Sequence, residues 1–261
     1  MQLEGKKIIV TGGTKGIGAA TVKIYVKEGA QVVFCGTNDE RGKATEEAAN
    51  ASGPGHATYF RCDISNKEAV DEFFAKAVEV LGGLDVLANI AGVECNSAAE
   101  SYVQKDIDFL FDINVYGTIY TNQAAYKYFK ELGTVDGAII NYASDTAMSG
   151  MPNGAAYAAS KGAVVSWTRS ISMEWGIASN VRCNCVNPTI KTPMYEAWLK
   201  TVDPKVKEMH LAGLKQRYPI DGSMGDADRD CAPVMVFMAS DASRYINGQV
   251  ICVNGGSMMV R

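Results

Sequence analysis

Ser144, Tyr157 and Lys161 share one stretch, "SDTAMSGMPNGAAYAASK", with the tyrosine thirteen residues after the serine and the lysine four further on. Reducing a ketone with hydride leaves an alkoxide that needs a proton, and oxidising an alcohol requires the reverse. A free phenol, with a pKa of ~10, does this poorly near neutrality. On a helix a lysine four residues on shares the tyrosine's face, and its positive charge favours the phenolate. Tyr157 is therefore expected to be a general acid/base. Ser144, at the end of a strand, is expected to hydrogen-bond the substrate oxygen as charge develops there. The chain holds its own control: Tyr126 and Lys130 in "YKYFK" repeat the spacing, but Ile113 stands where the serine would be. That second pair reads as the exposed face of an amphipathic helix.

Such a device needs a source of hydride. "TGGTKGIG", Thr11 to Gly18, follows the first apolar run and places Gly12, Gly16 and Gly18 as T-G-x-x-x-G-x-G instead of the usual G-x-G-x-x-G. Glycines allow a tight turn and a close approach to a pyrophosphate, whose charge the N–H groups and dipole of the next helix stabilise. An acidic residue ~20 positions on normally binds the adenosine ribose and selects NAD. Gly36 stands there, while Lys15, Thr37 and Arg41 are available to a 2′-phosphate. NADP(H) is favoured on charge grounds, with NAD(H) left open because Asp39 and Glu40 are close by. Asp63, after the third strand, suits either the adenine edge or a helix cap.

The elements that must position these groups alternate along the chain. Strand-like "KIIVTGG", "AQVVFCG" and "ATYFRCD" are each followed by a helical pattern, near residues 16–28, 39–51 and 66–81. The beat continues through "LDVLANIAG", a helical stretch near 102–132, "GAIINYAS", a helix near 155–177, "NVRCNCVNP" and "QVICVNGG". Continuous apolar strands imply burial on both faces, hence a doubly wound parallel α/β sheet. No repeat or linker divides residues 1–261, so one domain is expected, with a substrate lid where the beat fails at 189–225.

Bulk properties exclude several classes. A chain of 261 residues with 47% hydrophobic and 21% charged residues fits one large core. A net charge of −4 without basic runs gives no footprint for nucleic acid or an anionic membrane. No segment approaches the ~20 apolar residues of a membrane span. Seven cysteines form no disulfide framework and suit a reducing cytoplasm. Cys183 and Cys185, one residue apart, read as strand residues and not as zinc ligands, so no metal site is expected. A serine hydrolase lacks its parts: there is no G-x-S-x-G, and His56 and His210 read as surface residues.

Together "TGGTKGIG", "NIAG" (89–92), "NVYG" (114–117), Ser144, "YAASK" (157–161), "NPTIKTPM" (187–194) and "INGQVICVNGG" (246–256) resemble the short-chain dehydrogenase/reductase family over essentially the whole chain. The resemblance implies a Rossmann-type domain with about seven strands, nicotinamide-dependent chemistry on secondary alcohols or ketones, and a homotetramer or dimer. It implies that Asn114 holds a water joining Lys161 to solvent, although a buried amide at a helix bend reads equally well. It also implies cofactor contacts from Thr14, Ile17, Ile64, Asn89, Ala91, Gly92, Tyr157, Lys161, Pro188, Ile190 and Thr192. The chain departs from the family at Ile90, at Ala143 and at Thr189, where Pro-Gly is usual.

Met194, Tyr195, Trp198, Leu199, Met209, Leu211, Leu214 and Tyr218 give the lid an apolar character, with Met148, Met151 and Pro152 beside the serine. They either line a cleft for a bulky hydrophobic alcohol or ketone, such as a hydroxysteroid or bile acid, or pack the lid onto the core. A sugar, cyclic ketone or 3-oxoacyl thioester remains an alternative substrate. A nucleotide sensor without turnover, and a purely structural subunit, are the competing classes.

Overall fold

Seven strands, β1 (Lys7–Thr11), β2 (Gln31–Gly36), β3 (His56–Arg61), β4 (Val86–Asn89), β5 (Ala138–Tyr142), β6 (Arg182–Pro188) and β7 (Val250–Val253), form one parallel sheet in the order β3-β2-β1-β4-β5-β6-β7. The structure, a computed structural model, describes residues 1–259 and all their side chains except those of Pro193, Met194 and Ala197. Met194, expected in the apolar lid, therefore has its side chain outside the described residues. The chain order reverses between β1 and β4, which opens a crevice at the carboxyl ends of those strands, where ligands bind in such sheets.

Helices cover both faces: α1 (Gly16–Lys27), α2 (Asp39–Asn50), α3 (Lys67–Leu81), α4 (Gln104–Phe111), α5 (Gly117–Leu132), α6 (Thr146–Ser149), α7 (Ala155–Ser179), α8 (Pro193–Thr201), α9 (Pro204–Arg217) and α10 (Ala232–Ala239). Successive strand residues point to opposite faces, so Ile8 and Val10 join Tyr25, Val26 and Met235 of α1 and α10, while Ile9 joins Phe74, Phe129 and Ile171 of α3, α5 and α7. The inner strands are buried almost throughout, as their unbroken apolar runs predict. The edge strands differ: β3 alternates and β7 is half-buried along its length.

Three features depart from the sequence pattern. The helix expected near 102–132 is two helices, α4 and α5, joined by a π turn over Asp112–Tyr116. Its cause is local, because the buried Asn114 turns its amide out of the helix to the peptide groups of Val93. The segment 189–225, expected as a lid, is not irregular but carries α8 and α9, each with proline in its first turn, capped by the Thr192 and Asp203 side chains. Finally α10, "APVMVFMA", is apolar all round, so no helical period announces it.

Candidate active site

The strand register sets Thr11, Asn89 and Asn141 in one row beneath the carboxyl edge of the sheet. Thr11 Oγ1 donates to Asn89 Oδ1 (2.7 Å) and Asn89 Nδ2 to Asn141 Oδ1 (3.3 Å). Asn141 Nδ2 donates onward to Asn122 Oδ1 (2.8 Å) and Thr168 Oγ1 (2.9 Å). Buried amides must be paired, and this chain pairs them with one another. Asn89 thus gives its side chain to the sheet interior.

Above that row the glycine loop closes on itself. A Cβ on Gly18 would lie 2.1 Å from the Gly12 carbonyl oxygen, and one on Gly12, at φ +68°, 2.6 Å from Ala91 Cα. Gly16, at φ +52°, faces open space. The α1 amino end carries no side-chain cap, and its first intrahelical bond is Ala19 N to Lys15 O, so the preceding N–H groups face the same opening. These residues fit a pyrophosphate: small where the backbone must approach, with free donors above. Ile17 and Ile64, two further residues expected at the cofactor, pack their side chains into the two core layers.

The ribose end is built around Gly36, where a Cβ would meet Thr14 Cγ2 at 2.6 Å, so no acidic side chain fits without displacing that loop. Asp39 is held elsewhere, accepting from the Tyr59 hydroxyl (2.9 Å) and from Arg61 (3.1 Å). Lys15, Thr37 and Arg41 are exposed, and Arg41 lines a cavity of about 330 Å³ with Thr14, Gly16 and Lys23. Asp63 makes an Asx turn to Ser65 N (3.0 Å), and the α3 cap is Asn66.

Asn114, Lys161, Ser144 and Tyr157 converge on the ends of β4 and β5. Asn114 Oδ1 accepts from Val93 N (2.9 Å), and its Nδ2 donates to Val93 O (2.9 Å) and Ser160 Oγ (3.0 Å). Lys161 is buried and donates to the Tyr142 carbonyl (3.0 Å). Both polar groups flank Gly92, where a Cβ would sit 3.0 Å from Lys161 Nζ and 3.2 Å from Asn114 Oδ1. Thr146 Oγ1 donates to Ser144 Oγ (3.0 Å), which leaves the serine proton free to be given.

The electrostatics differ from the sequence expectation. Burial pushes the Tyr157 phenol up, the neighbouring Ser144 hydroxyl pulls it down, and Glu94 pushes it up again. Lys161 is not among these causes, and burial lowers its own pKa to about 8. Among the described residues the two side chains share no hydrogen bond, and the ammonium donates to the Tyr142 carbonyl of β5. The chain by itself therefore holds Tyr157 protonated at neutral pH. The control pair behaves as packing: Tyr126 stacks on Trp175 at 4.2 Å between centroids, with Lys130 over its ring.

Asp145, which the sequence reading passed over, is a buried carboxylate next to Ser144. It ties the loop after β6 to the turn after β7 through Thr189 and Ser257. In that loop Ile190 is buried in the core, and Thr192 spends its hydroxyl capping α8. Thr189 O and Lys191 N bond to Gly225, which leaves the peptide groups of Ile190 outside that bridge.

The segment 189–225 divides the apolar residues expected to line a cleft. Leu214 and Tyr218 are buried, whereas Met209 and Leu211 are exposed. His210 is more than a surface residue: its Nε2 bonds the Tyr195 hydroxyl (3.0 Å) and its ring meets Trp198 edge-on, joining α8 to α9. His56 is exposed at the start of β3. Val164, Ile171 and Trp175 of α7 are core. Among the described residues no cluster suits a metal ion, and no helix is long and apolar enough to cross a membrane.

A parallel sheet reversing at β1 and β4, a glycine loop at the reversal and a serine–tyrosine–lysine set beside it define a nucleotide-binding oxidoreductase fold. Residues 12–258 match a family model described as enoyl-(acyl carrier protein) reductase. The chain is 31% identical to a 3beta-hydroxysteroid dehydrogenase of Mediterraneibacter gnavus, over 98% of this chain and 95% of that one. It is 32% identical to a glucose 1-dehydrogenase of Gluconobacter oxydans, over 97% and 91%. A crystal structure described as a short-chain alcohol dehydrogenase of Sinorhizobium meliloti superposes with a TM-score of 0.87 at 28% identity, covering 98% and 97%. The chain belongs to the short-chain dehydrogenase/reductase family and is an oxidoreductase acting on CH–OH groups.

Proposed function

We propose that this protein interconverts a secondary alcohol and a ketone with NADP(H), using Tyr157 as the proton donor and acceptor, Ser144 to hold the substrate oxygen, and Lys161 with Asn114 to connect Tyr157 to solvent protons. The observation that carries the reading is the convergence of Lys161 Nζ and Asn114 Oδ1 on Gly92, with Ser144 beside the Tyr157 phenol. A bound nicotinamide dinucleotide supplies or accepts the hydride. The α1 amino end and Gly12, Gly16 and Gly18 would hold its pyrophosphate, and Lys15, Thr37 and Arg41 a 2′-phosphate. Asp39 is already engaged by Tyr59 and Arg61, which supports NADP(H) over NAD(H).

A protonated phenol suits carbonyl reduction: Tyr157 gives its proton to the developing alkoxide while Ser144, fed by Thr146, donates to the same oxygen. Lys161 stands behind as an ammonium below about pH 8. We read residues 1–261 as one domain with a lid at 189–225, assembled as a dimer or tetramer in the cytoplasm. Relatives act on a steroid and on a sugar at nearly equal identity. Met148 and Met151, half-buried beside Ser144, favour a hydrophobic substrate of hydroxysteroid or bile-acid size.

The test follows nicotinamide absorbance with NADPH and NADH across ketones, steroids and sugars, beside Tyr157→Phe. The variant should lose about 10²- to 10⁴-fold in turnover while still binding dinucleotide. Equal turnover by variant and wild type would overturn the mechanism. Binding without turnover on every substrate would favour a sensor.

A further inference from the structure

Asp145 follows Ser144 directly and opens α6, yet its side chain does not cap that helix. The carboxylate turns the other way. Its Oδ1 accepts from Asn187 Nδ2 (2.7 Å) and Asn254 Nδ2 (3.0 Å). Its Oδ2 accepts from Thr189 Oγ1 (2.9 Å), Ser257 Oγ (2.9 Å) and, more weakly, Asn254 Nδ2 (3.2 Å). These four donors stand at the end of β6, at the root of the loop to α8 and in the turn after β7. All are neutral. A buried carboxylate is costly unless its oxygens are hydrogen-bonded, and here both are filled.

Asn187 shows how strongly the group commands its surroundings. Its amide gives Nδ2 to Asp145, which leaves its Oδ1 buried without a partner. One acceptor is thus sacrificed to complete the carboxylate's shell, an arrangement natural structures rarely keep. The backbone ties of the same region are independent of Asp145: Thr189 N donates to Val253 O (3.0 Å) and Gly225 N to Thr189 O (3.1 Å). The strands therefore stay paired without the carboxylate, and what it adds is the distance from these two segments to Ser144.

We propose that Asp145 is a positioning residue for the reaction, a clamp that seats Thr189 and the Asn254–Ser257 turn on the residue following Ser144. It rests on the reading of Ser144 and of the 188–192 loop as parts of the site. Thr189 is then not a flaw in the loop but the side chain through which the clamp acts. A displacement of about an ångström at a site of this kind costs on the order of a hundredfold in rate.

The clamp works by hydrogen bonding, which separates two substitutions. Asp145→Asn keeps an acceptor for Asn187 and Asn254 and offers N–H to the Thr189 and Ser257 hydroxyls, which can accept. Asp145→Ala offers nothing. The experiment measures NADPH affinity by fluorescence titration, kcat and KM for wild type, both variants and the double variant Thr189→Val/Ser257→Ala. Expected are a loss of roughly ten- to a hundredfold in NADPH affinity and kcat for Asp145→Ala, recovery to within about threefold for Asp145→Asn, and an intermediate loss for the double variant. Wild-type affinity and kcat in folded Asp145→Ala would overturn the clamp, as would an equal loss in Asp145→Asn, which would point to charge. If Asp145→Ala fails to fold, the double variant decides: unchanged affinity and kcat overturn the proposal. Tyr157→Phe run alongside tests the reading of the site separately, since it should lose turnover whatever Asp145 does. A wild-type protein that binds no dinucleotide would sink that reading and the clamp with it.

Discussion

Lys161 donates from Nζ to the backbone carbonyl of Tyr142, 3.0 Å away, so the cation of α7 is anchored on the end of β5 two residues before Ser144. Helix and strand are thereby locked at the point where chemistry is expected, and the lysine's orientation is set by the sheet and not by Tyr157. The anchored amine is buried, and burial lowers its pKa from 10.5 to about 8. A group held in this way costs stability to keep.

That cost is measurable. Because the folded pKa lies below the unfolded one, the full penalty is present below about pH 8, where both states are charged. Between about 8 and 10.5 the folded chain loses its proton first, so stability rises with pH, and above 10.5 the penalty is gone. The pKa difference corresponds to about 3 kcal/mol, against about 1 for the lost hydrogen bond. Lys161→Met should be inactive yet more stable than wild type at neutral pH by about 2 kcal/mol, the gap closing through the alkaline range. Urea titrations at several pH values check it, and a variant less stable at neutral pH would contradict the assignment.

Gly92 offers a way to disturb the proposed proton path without replacing its members. Its added methyl would press on Lys161 Nζ at 3.0 Å and Asn114 Oδ1 at 3.2 Å, contacts tight enough to move both by a few tenths of an ångström. Gly92→Ala should fold, keep its dinucleotide affinity within about twofold and lose kcat about ten- to a hundredfold. Single-turnover kinetics beside binding titrations make the separation, and equal losses in both would show that Gly92 serves the loop alone.

What the sequence revealed follows the range of each interaction. The glycine loop and the Ser144–Tyr157–Lys161 spacing were legible because each depends on a turn or on one helix face. Asn114 was readable as a buried amide at a helix bend, and the π turn shows that bend. Asp145 was not, since its donors lie 42, 44, 109 and 112 residues away and only the closed sheet brings them together. The protein partners of Asn89 and Lys161 were hidden for the same reason: the register of β1, β4 and β5, invisible in local pattern, decides what they touch. The lid's apolar residues could not be sorted either, because a helix whose apolar groups face both ways has no period to read.

Glu94 is exposed at the mouth of the site, and its charge is one of the causes that raise the Tyr157 pKa. Removing it lowers that pKa, so the alkaline form of Tyr157 is reached sooner. For Glu94→Gln the rise of alcohol oxidation with pH should begin at lower pH than in wild type. The difference should shrink as salt is added, because an exposed charge is screened over ~10 Å at 0.1 M. Profiles of kcat/KM at low and high ionic strength test both statements, and a shift toward higher pH would contradict them.

The proposed preference for NADP(H) rests on three features at the end of β2. Gly36 admits no carboxylate because a Cβ there would meet Thr14 at 2.6 Å. Asp39 is turned to Tyr59 and Arg61, so its charge is partly neutralised before any ribose arrives. Arg41 is exposed beside the cavity that Gly16 borders, and a guanidinium pairs with phosphate through two parallel donors. Hydrogen bonds to charged groups contribute about 1.5 to 3 kcal/mol, so Arg41→Ala should weaken NADPH at least about tenfold. NADH, which lacks the 2′-phosphate, should change less than about twofold. Tyr59→Phe with Arg61→Ala works from the other side: freeing Asp39 should improve NADH and weaken NADPH. Titrations of both dinucleotides against the three proteins decide it, and an equal loss of NADH and NADPH in Arg41→Ala would mean that Arg41 shapes the loop and does not read the phosphate.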